Sequence, residues 1–212
     1  MKKHEWKRSE KEIYLPKTEP QLIAVPEFKF VTLEGEGNPN SPFFSDYVSV
    51  LYSMAYAIKM NLKKSDPKPE DYNDYTVYPL EGIWDLKSGA KGGPGGSINK
   101  DELVFKLMIR QPNFLEESFF DKMLELTKKK KPHQLLDNVR FERISDGVCI
   151  QMMHIGSYDD EPESFTKMEA FASENGFIRV SEDHREIYIS DFRKVAPEKL
   201  KTVLRFKVKP KS

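Results

Sequence analysis

The same order of elements is laid down twice along these 212 residues. Each half reads as a strand, a glycine-containing turn, an amphipathic helix and then two strands. In the first half, residues 22–33 are extended, and Pro26 marks an edge or a bulge. Gly35-Glu36-Gly37-Asn38-Pro39-Asn40-Ser41-Pro42 is a turn. Phe44, Tyr47, Leu51, Met54, Ala55, Ile58 and Leu62 recur at three- and four-residue spacing and predict a helix. Lys63 and Lys64 suit its end, and Pro67 and Pro69 stop it. Residues 75–86 read as a strand, and Leu103, Phe105, Leu107 and Ile109 alternate as a second one. A helix over 116–131 links the halves.

In the second half, strands over 139–144 and 148–155 flank Asp146-Gly147, a hairpin signal. Gly156-Ser157-Tyr158-Asp159-Asp160-Glu161-Pro162 is a turn leading into a helix whose acidic start suits the dipole. Phe165, Met168, Phe171 and Ala172 form that helix's apolar stripe, and Asn175-Gly176 caps it. Strands over 186–190 and 203–208 complete the repeat. The reading is an α+β fold of two pseudo-twofold-related strand-helix-strand-strand modules. Each module exposes a sheet face that cannot stay wet, with helices behind. The cleft on the pseudo-twofold axis is the natural ligand pocket, holding Glu81 from one half and Glu186 from the other. The expected organisation is an N-terminal arm over 1–20 and a single domain over 21–212. Within it lie module one at about 21–112, the linking helix at about 113–132 and module two at about 138–210. A Gly-rich stretch over 88–97 reads as a flexible loop or lid. It lacks the Gly-Lys-Ser/Thr helix start that a phosphate loop needs.

Composition narrows the function. Lys+Arg and Asp+Glu both number 34, which disfavours a uniformly basic nucleic-acid binder. One cysteine, Cys149, excludes an internal disulfide and a cysteine zinc cluster. The charged start shows no signal peptide, and no run reaches the roughly 18 apolar residues of a membrane span, so a cytoplasmic protein without a membrane partner is expected. No His-x-x-x-His pattern and no Gly-x-Ser-x-Gly elbow occurs, so neither a metal, a cofactor nor ordinary serine hydrolysis is expected. The aromatics, 2 Trp, 9 Tyr and 14 Phe, are numerous enough to fill a core and also to line a pocket for flat organic molecules.

Several stretches, in order, resemble the GyrI-like small-molecule-binding family. They are Tyr78-Pro79-Leu80-Glu81-Gly82-Ile83-Trp84, Leu107-Met108-Ile109-Arg110-Gln111-Pro112, Met153-His154-Ile155-Gly156-Ser157-Tyr158-Asp159-Asp160-Glu161-Pro162, His184-Arg185-Glu186-Ile187-Tyr188-Ile189-Ser190-Asp191 and Ala196-Pro197-Glu198-Lys199-Leu200-Lys201-Thr202. The chain looks closest to a standalone subgroup, the cyclopropanoid cyclopropyl hydrolases. Where the family shows paired tryptophans after Leu-Glu-Gly, this chain has Trp84-Asp85. The resemblance implies a buried glutamate facing a flat aromatic ligand, and hydrolytic opening of the cyclopropane in DNA-alkylating agents as detoxification. The alternatives are a noncatalytic multidrug binder acting by sequestration and a gyrase-inhibitor-like protein-interaction module. Some relatives carry the module behind a DNA-binding domain. Only about twenty residues precede the first strand here, so a nucleic-acid partner is not expected. A monomer or weak dimer is expected.

Glu186, Tyr188 and Ser190 share one strand face, and Ile187 and Ile189 the other. Either Glu186 lies on a solvated face, or helices cover the isoleucine side while Glu186 faces the cleft. With the resemblance, Glu186 becomes the candidate base that orients water, and Tyr158 or Tyr188 the donor to the developing phenolate. Candidate ligand contacts are Glu81, Trp84, Tyr52, Tyr56, Met108, Phe171, Phe177 and His154. Phe171 could equally be helix core, and His154 a hydrogen-bonded interior residue. His184 stands where it could modulate the charge of Glu186.

Overall fold

A computed structural model describes residues 3–87, 99–192 and 194–211. The Gly-rich stretch over 88–97 lies outside the described residues. The elements, in chain order, are α1 (Trp6–Ser9), α2 (Lys11–Tyr14), β1 (Gln21–Glu36), α3 (Phe44–Lys64), β2 (Leu80–Leu86), β3 (Leu103–Gln111), α4 (Glu117–Lys130), β4 (Arg140–Ile155), α5 (Glu161–Glu174), β5 (Phe177–Arg179), β6 (His184–Tyr188) and β7 (Lys201–Pro210). They fall into two compact units that alternate along the chain. The first holds Phe28–Leu80 and Asp85–Ile144, and the second Trp6–Glu27, Glu81–Trp84 and the chain from Ser145 onward. No helix among the described residues is long and apolar enough to cross a membrane.

In the first unit, β1 pairs antiparallel with β3, from Lys29 opposite Gln111 to Glu36 opposite Val104. The predicted helix forms as α3 and buries Val50, Leu51, Met54, Ala55, Ile58 and Leu62. That stripe packs on β3 and on α4. Lys29, itself buried, fixes the chain entering α4. Its ammonium donates to the carbonyls of Asn113 at 2.7 Å and Leu115 at 2.6 Å. Gly35 is required for contact rather than for turning. A Cβ there would lie 2.5 Å from the Phe105 ring and 2.6 Å from that of Tyr47. Those two rings already meet edge to face at 5.3 Å.

In the second unit, β7 is central. One edge pairs with β4, from Cys149 opposite Lys207 to Ile155 opposite Lys201. The other edge pairs with β6 and, further along, with β5. β6 in turn pairs with Glu81–Trp84 of β2. Ile150, Met152, Leu204, Phe206 and Val208 cover Met168 and Ala172 of α5. The opposite face of the sheet is polar and equally dry. There Arg185 donates to Glu81 at 2.7 Å and to Asp146 at 2.9 Å. Arg205 approaches Asp146 at 3.5 Å and donates to Gln151 at 2.8 Å.

Two expectations are corrected by this network. The Asp146-Gly147 hairpin does not form, and β4 runs unbroken through it. Gly147 takes the left-handed φ of +68° inside the strand, and Asp146 is held by two arginines instead of turning the chain. The N-terminal stretch is also no free arm. Gln151 donates to the carbonyl of Glu12 and Arg205 to that of Ile13, while Trp6 and Tyr14 are buried with ring centroids 5.2 Å apart.

Two substitutions test these constraints. Gly35→Ala should destabilise the protein by about 1–3 kcal/mol, the usual range for overpacking, because Phe105 and Tyr47 must both retreat. Thermal unfolding would show it, and an unchanged midpoint would mean that the rings have room. Arg185→Met should cost about 3–5 kcal/mol by stranding Glu81 and leaving Asp146 to Arg205 alone, whereas the triple change with Glu81→Gln and Asp146→Asn should recover part of the loss. No recovery in the triple variant would show that the network acts by shape and not by charge.

Candidate functional site

Residues directly opposite each other in antiparallel strands share a face. Glu186 lies opposite Leu204 and Gly82, and Ile187 opposite Val203 and Glu81. Leu204 belongs to the core under α5, so Glu186 faces the helix side of the sheet. The expectation that helices cover the isoleucine side is therefore reversed in this unit. Ile187 shares the face of the arginine network, and Glu186 looks toward the start of α5. Gly82, across from Glu186, carries no side chain to fill the space.

Around Glu186 the neighbours are specific. His184 Nε2 lies 3.1 Å from Glu186 Oε1. The Tyr188 hydroxyl is hydrogen-bonded to the Glu186 carboxylate and accepts the Trp84 indole N–H at 2.8 Å. Since the carboxylate can only accept, the Tyr188 proton is directed at Glu186 and the chain of donation runs Trp84 to Tyr188 to Glu186. Tyr158 meets Tyr188 edge to face at 6.0 Å, and Phe165 meets the His184 ring at 4.7 Å. Glu161, the first residue of α5, completes the group. Donor atoms of Glu161, His184 and Glu186 all lie within 4.8 Å of one another. Glu161 is 6% exposed and Glu186 9%.

This local field has consequences for the phenols. Burial, then the charges of Glu186, Glu161 and Asp191, push Tyr158 up to about 12. Burial, then the charge and the hydrogen bond of Glu186, push Tyr188 well above the ordinary phenol value. Both phenols are neutral donors near neutral pH.

A bonded clamp positions Tyr158. His154 lies 2.9 Å by Nδ1 from the Ser164 hydroxyl and 2.9 Å by Nε2 from the Ser157 carbonyl. Gly156, at φ +143°, lets the chain pass over the imidazole. Tyr158 follows in a short 3-10 turn, Tyr158–Asp160, that runs into α5.

The sequence-predicted residues thus separate. Glu186, Tyr158, Tyr188 and Trp84 come together. Glu81 does not join them. It sits on the other face of the sheet, 2% exposed and paired with Arg185. His154 is interior, with both ring nitrogens engaged, and acts on the Tyr158 turn. Phe171 and Phe177 are half-buried against the core of the second unit. Tyr52, Tyr56 and Met108 belong to the first unit. Tyr52 and Tyr56 pair at 6.4 Å with Tyr56 half exposed, and Met108 is fully buried on β3. Glu161 and Phe165 were not singled out by sequence. Glu161 reads as one of several acidic residues at a helix start, and Phe165 as one position of an apolar stripe. Only the register of β6 reveals them as neighbours of Glu186.

A strand carboxylate, two neutral phenols and an indole thus stand together beside a helix start. The chain belongs to the GyrI-like family, whose small-molecule-binding domain matches residues 18–209. It is similar to a hydrolase from Listeria innocua, at 35% identity over 98% of this chain and 100% of that one, with a TM-score of 0.86. A second Listeria innocua hydrolase structure gives 34% identity and a TM-score of 0.84 over the same shares. An uncharacterized conserved protein from the same organism gives 36% and 0.87, again over 98% and 100% of the two chains. Comparison with curated proteins gives no match.

Proposed function

We propose that the protein binds flat aromatic xenobiotics and hydrolyses the cyclopropane ring of cyclopropanoid alkylating agents. The observation that carries this reading is the grouping of Glu186 with Tyr158, Tyr188 and Trp84 at the start of α5. The similarity to Listeria innocua hydrolases at 35% and 34% identity supports hydrolytic chemistry in general.

In such substrates the cyclopropane is conjugated to a dienone. Water adds to the strained carbon, the ring carbon–carbon bond breaks, and its electron pair passes through the dienone to the oxygen, which becomes a phenolate. Glu186 takes the proton of the attacking water. Tyr188 does not serve the substrate oxygen, because its proton is committed to Glu186. It fixes the carboxylate's orientation, with Trp84 behind it. Tyr158 is then the donor to the developing phenolate. A product phenol near 10 is a stronger acid than Tyr158 at about 12, so Tyr158 donates a hydrogen bond and keeps its proton. The phenolate is protonated by water or by the proton that Glu186 collected. The aromatic walls orient the flat ligand and exclude water.

The test is a mass-spectrometric time course with a cyclopropanoid alkylator and substoichiometric protein. The expected product is one water heavier and accumulates over many turnovers. Glu186→Gln should abolish turnover and leave ligand binding within about tenfold, and Tyr158→Phe should lower kcat by about 10²-fold, the usual loss for one oxyanion donor. Saturable quenching of tryptophan fluorescence without product would establish sequestration instead. Full turnover in Glu186→Gln would remove its role as base.

A further inference from the structure

We propose that Glu161, His184 and Glu186 form a binding site for a divalent transition-metal ion of the zinc class, and that the bound ion switches the hydrolytic site off. Neither the family match nor the chemistry above calls for a metal. The inference comes from the donor set.

Three side chains from two elements, α5 and β6, each bring one ligand atom to a common space, and these atoms lie within 4.8 Å of one another. The set is one imidazole nitrogen and two carboxylate oxygens, the mixed donors that suit zinc, cobalt, manganese and iron. The spacing fits an ion. Two donors about 2.1 Å from one metal, at an angle between tetrahedral and octahedral, stand about 3.0–3.4 Å apart. His184 Nε2 and Glu186 Oε1 are 3.1 Å apart. No separation exceeds 4.8 Å, and a carboxylate rotation closes any excess over the roughly 4.2 Å of a trans pair.

The surroundings are those of a metal site as well. Tyr188 hydrogen-bonds the Glu186 carboxylate from outside the triad and would orient it as a ligand, with Trp84 holding Tyr188 in turn. Phe165 packs on the His184 ring and limits its rotation. Two carboxylates at 6% and 9% exposure, so close together, favour a cation between them. A divalent ion supplies two positive charges to that space.

Three protein ligands leave positions on the ion for water or a ligand atom. Inhibition follows from which electrons the ion uses. A coordinated cation withdraws electron density from the Glu186 carboxylate and lowers its basicity, so the carboxylate no longer draws a proton from water. That second half of the proposal rests on the reading of Glu186 as the base, and the first half does not.

The experiment uses chelator-treated full-length protein and cobalt(II) as a visible probe. A d–d absorption band should grow to saturation at one equivalent and be displaced by zinc. His184→Ala and Glu161→Ala should each weaken binding at least about tenfold, and Tyr188→Phe by a similar factor through lost orientation. His133→Ala, in the first unit, should change nothing. Glu186→Gln, nearly isosteric, serves as the third ligand variant should either alanine variant fail to fold by circular dichroism. No saturable band in the wild-type protein, or a band that survives the ligand variants, overturns the site. One equivalent of zinc should also abolish turnover of a cyclopropanoid alkylator, and chelator should restore it. Full turnover in the zinc-loaded protein overturns the inhibition. Absence of turnover in the metal-free protein is a failure of the hydrolase reading and of the inhibition that rests on it, and the cobalt band still decides the site.

Discussion

Arg185 is the pivot of the second unit. Its guanidinium is fully buried and bridges Glu81 on β2 to Asp146 on β4, while Arg205 on β7 closes on the same aspartate. A buried cation is expensive to desolvate and is tolerated only where its partners are fixed. That demand sets the register of β6. A slip by one residue would turn Arg185 toward α5 and carry Glu186 into the arginine network. The placement of Glu186, His184 and Tyr188 on the helix side thus follows from where the neighbouring arginine must go. The two neighbouring arginines also discharge Glu81 and Asp146 locally, so those carboxylates belong to the scaffold and Glu186 does not.

Having both faces of one sheet dry changes what each face can do. On the arginine face, charges of opposite sign are matched at 2.7–3.5 Å. On the helix face, the near-neighbour charges are of one sign, and the remaining groups are neutral phenols, an indole and an imidazole. Burial first, and those negative charges second, make Tyr158 and Tyr188 weak acids and keep their protons on oxygen as donors. The short clamp at His154 then decides where the Tyr158 donor points, since both ring nitrogens are spent on holding Ser157 and Ser164.

Much of the framework was legible in the sequence, because helix periodicity and strand alternation are local signals. The stripe of α3 from Leu51 to Leu62 is buried as its spacing requires, and Leu107 and Ile109 lie in the interior of the first unit. The misreadings share one cause, which is that long-range polar contacts leave no local trace. Asp146-Gly147 has the composition of a hairpin, yet Arg185, 39 residues away, holds Asp146 in a continuing strand. The polar N-terminal segment reads as an arm, yet its carbonyls are met by Gln151 and Arg205. For the site, alternation correctly separated Glu186 and Tyr188 from Ile187. It could not say which face meets the helix. That depends on pairing with Leu204, and the same pairing hides Glu161 among ordinary helix-start acids.

The clustering of Glu161 and Glu186 also constrains how a substrate of the proposed class could lie. A developing phenolate is a third negative charge. At about 4 Å from a carboxylate, in surroundings of effective dielectric near 20, its repulsion is about 4 kcal/mol, enough to erase the benefit of a good hydrogen-bond donor. On the proposed reading, the productive pose puts the strained carbon at Glu186 and the dienone oxygen at the far end of the conjugated system. Such a molecule is flat and several ångströms long, so the geometry is available only to an extended aromatic ligand. A small cyclopropane without the conjugated dienone would leave its developing charge beside the base. On the proposed reading, selectivity for large flat substrates would come from the electrostatics of the site as much as from its aromatic walls.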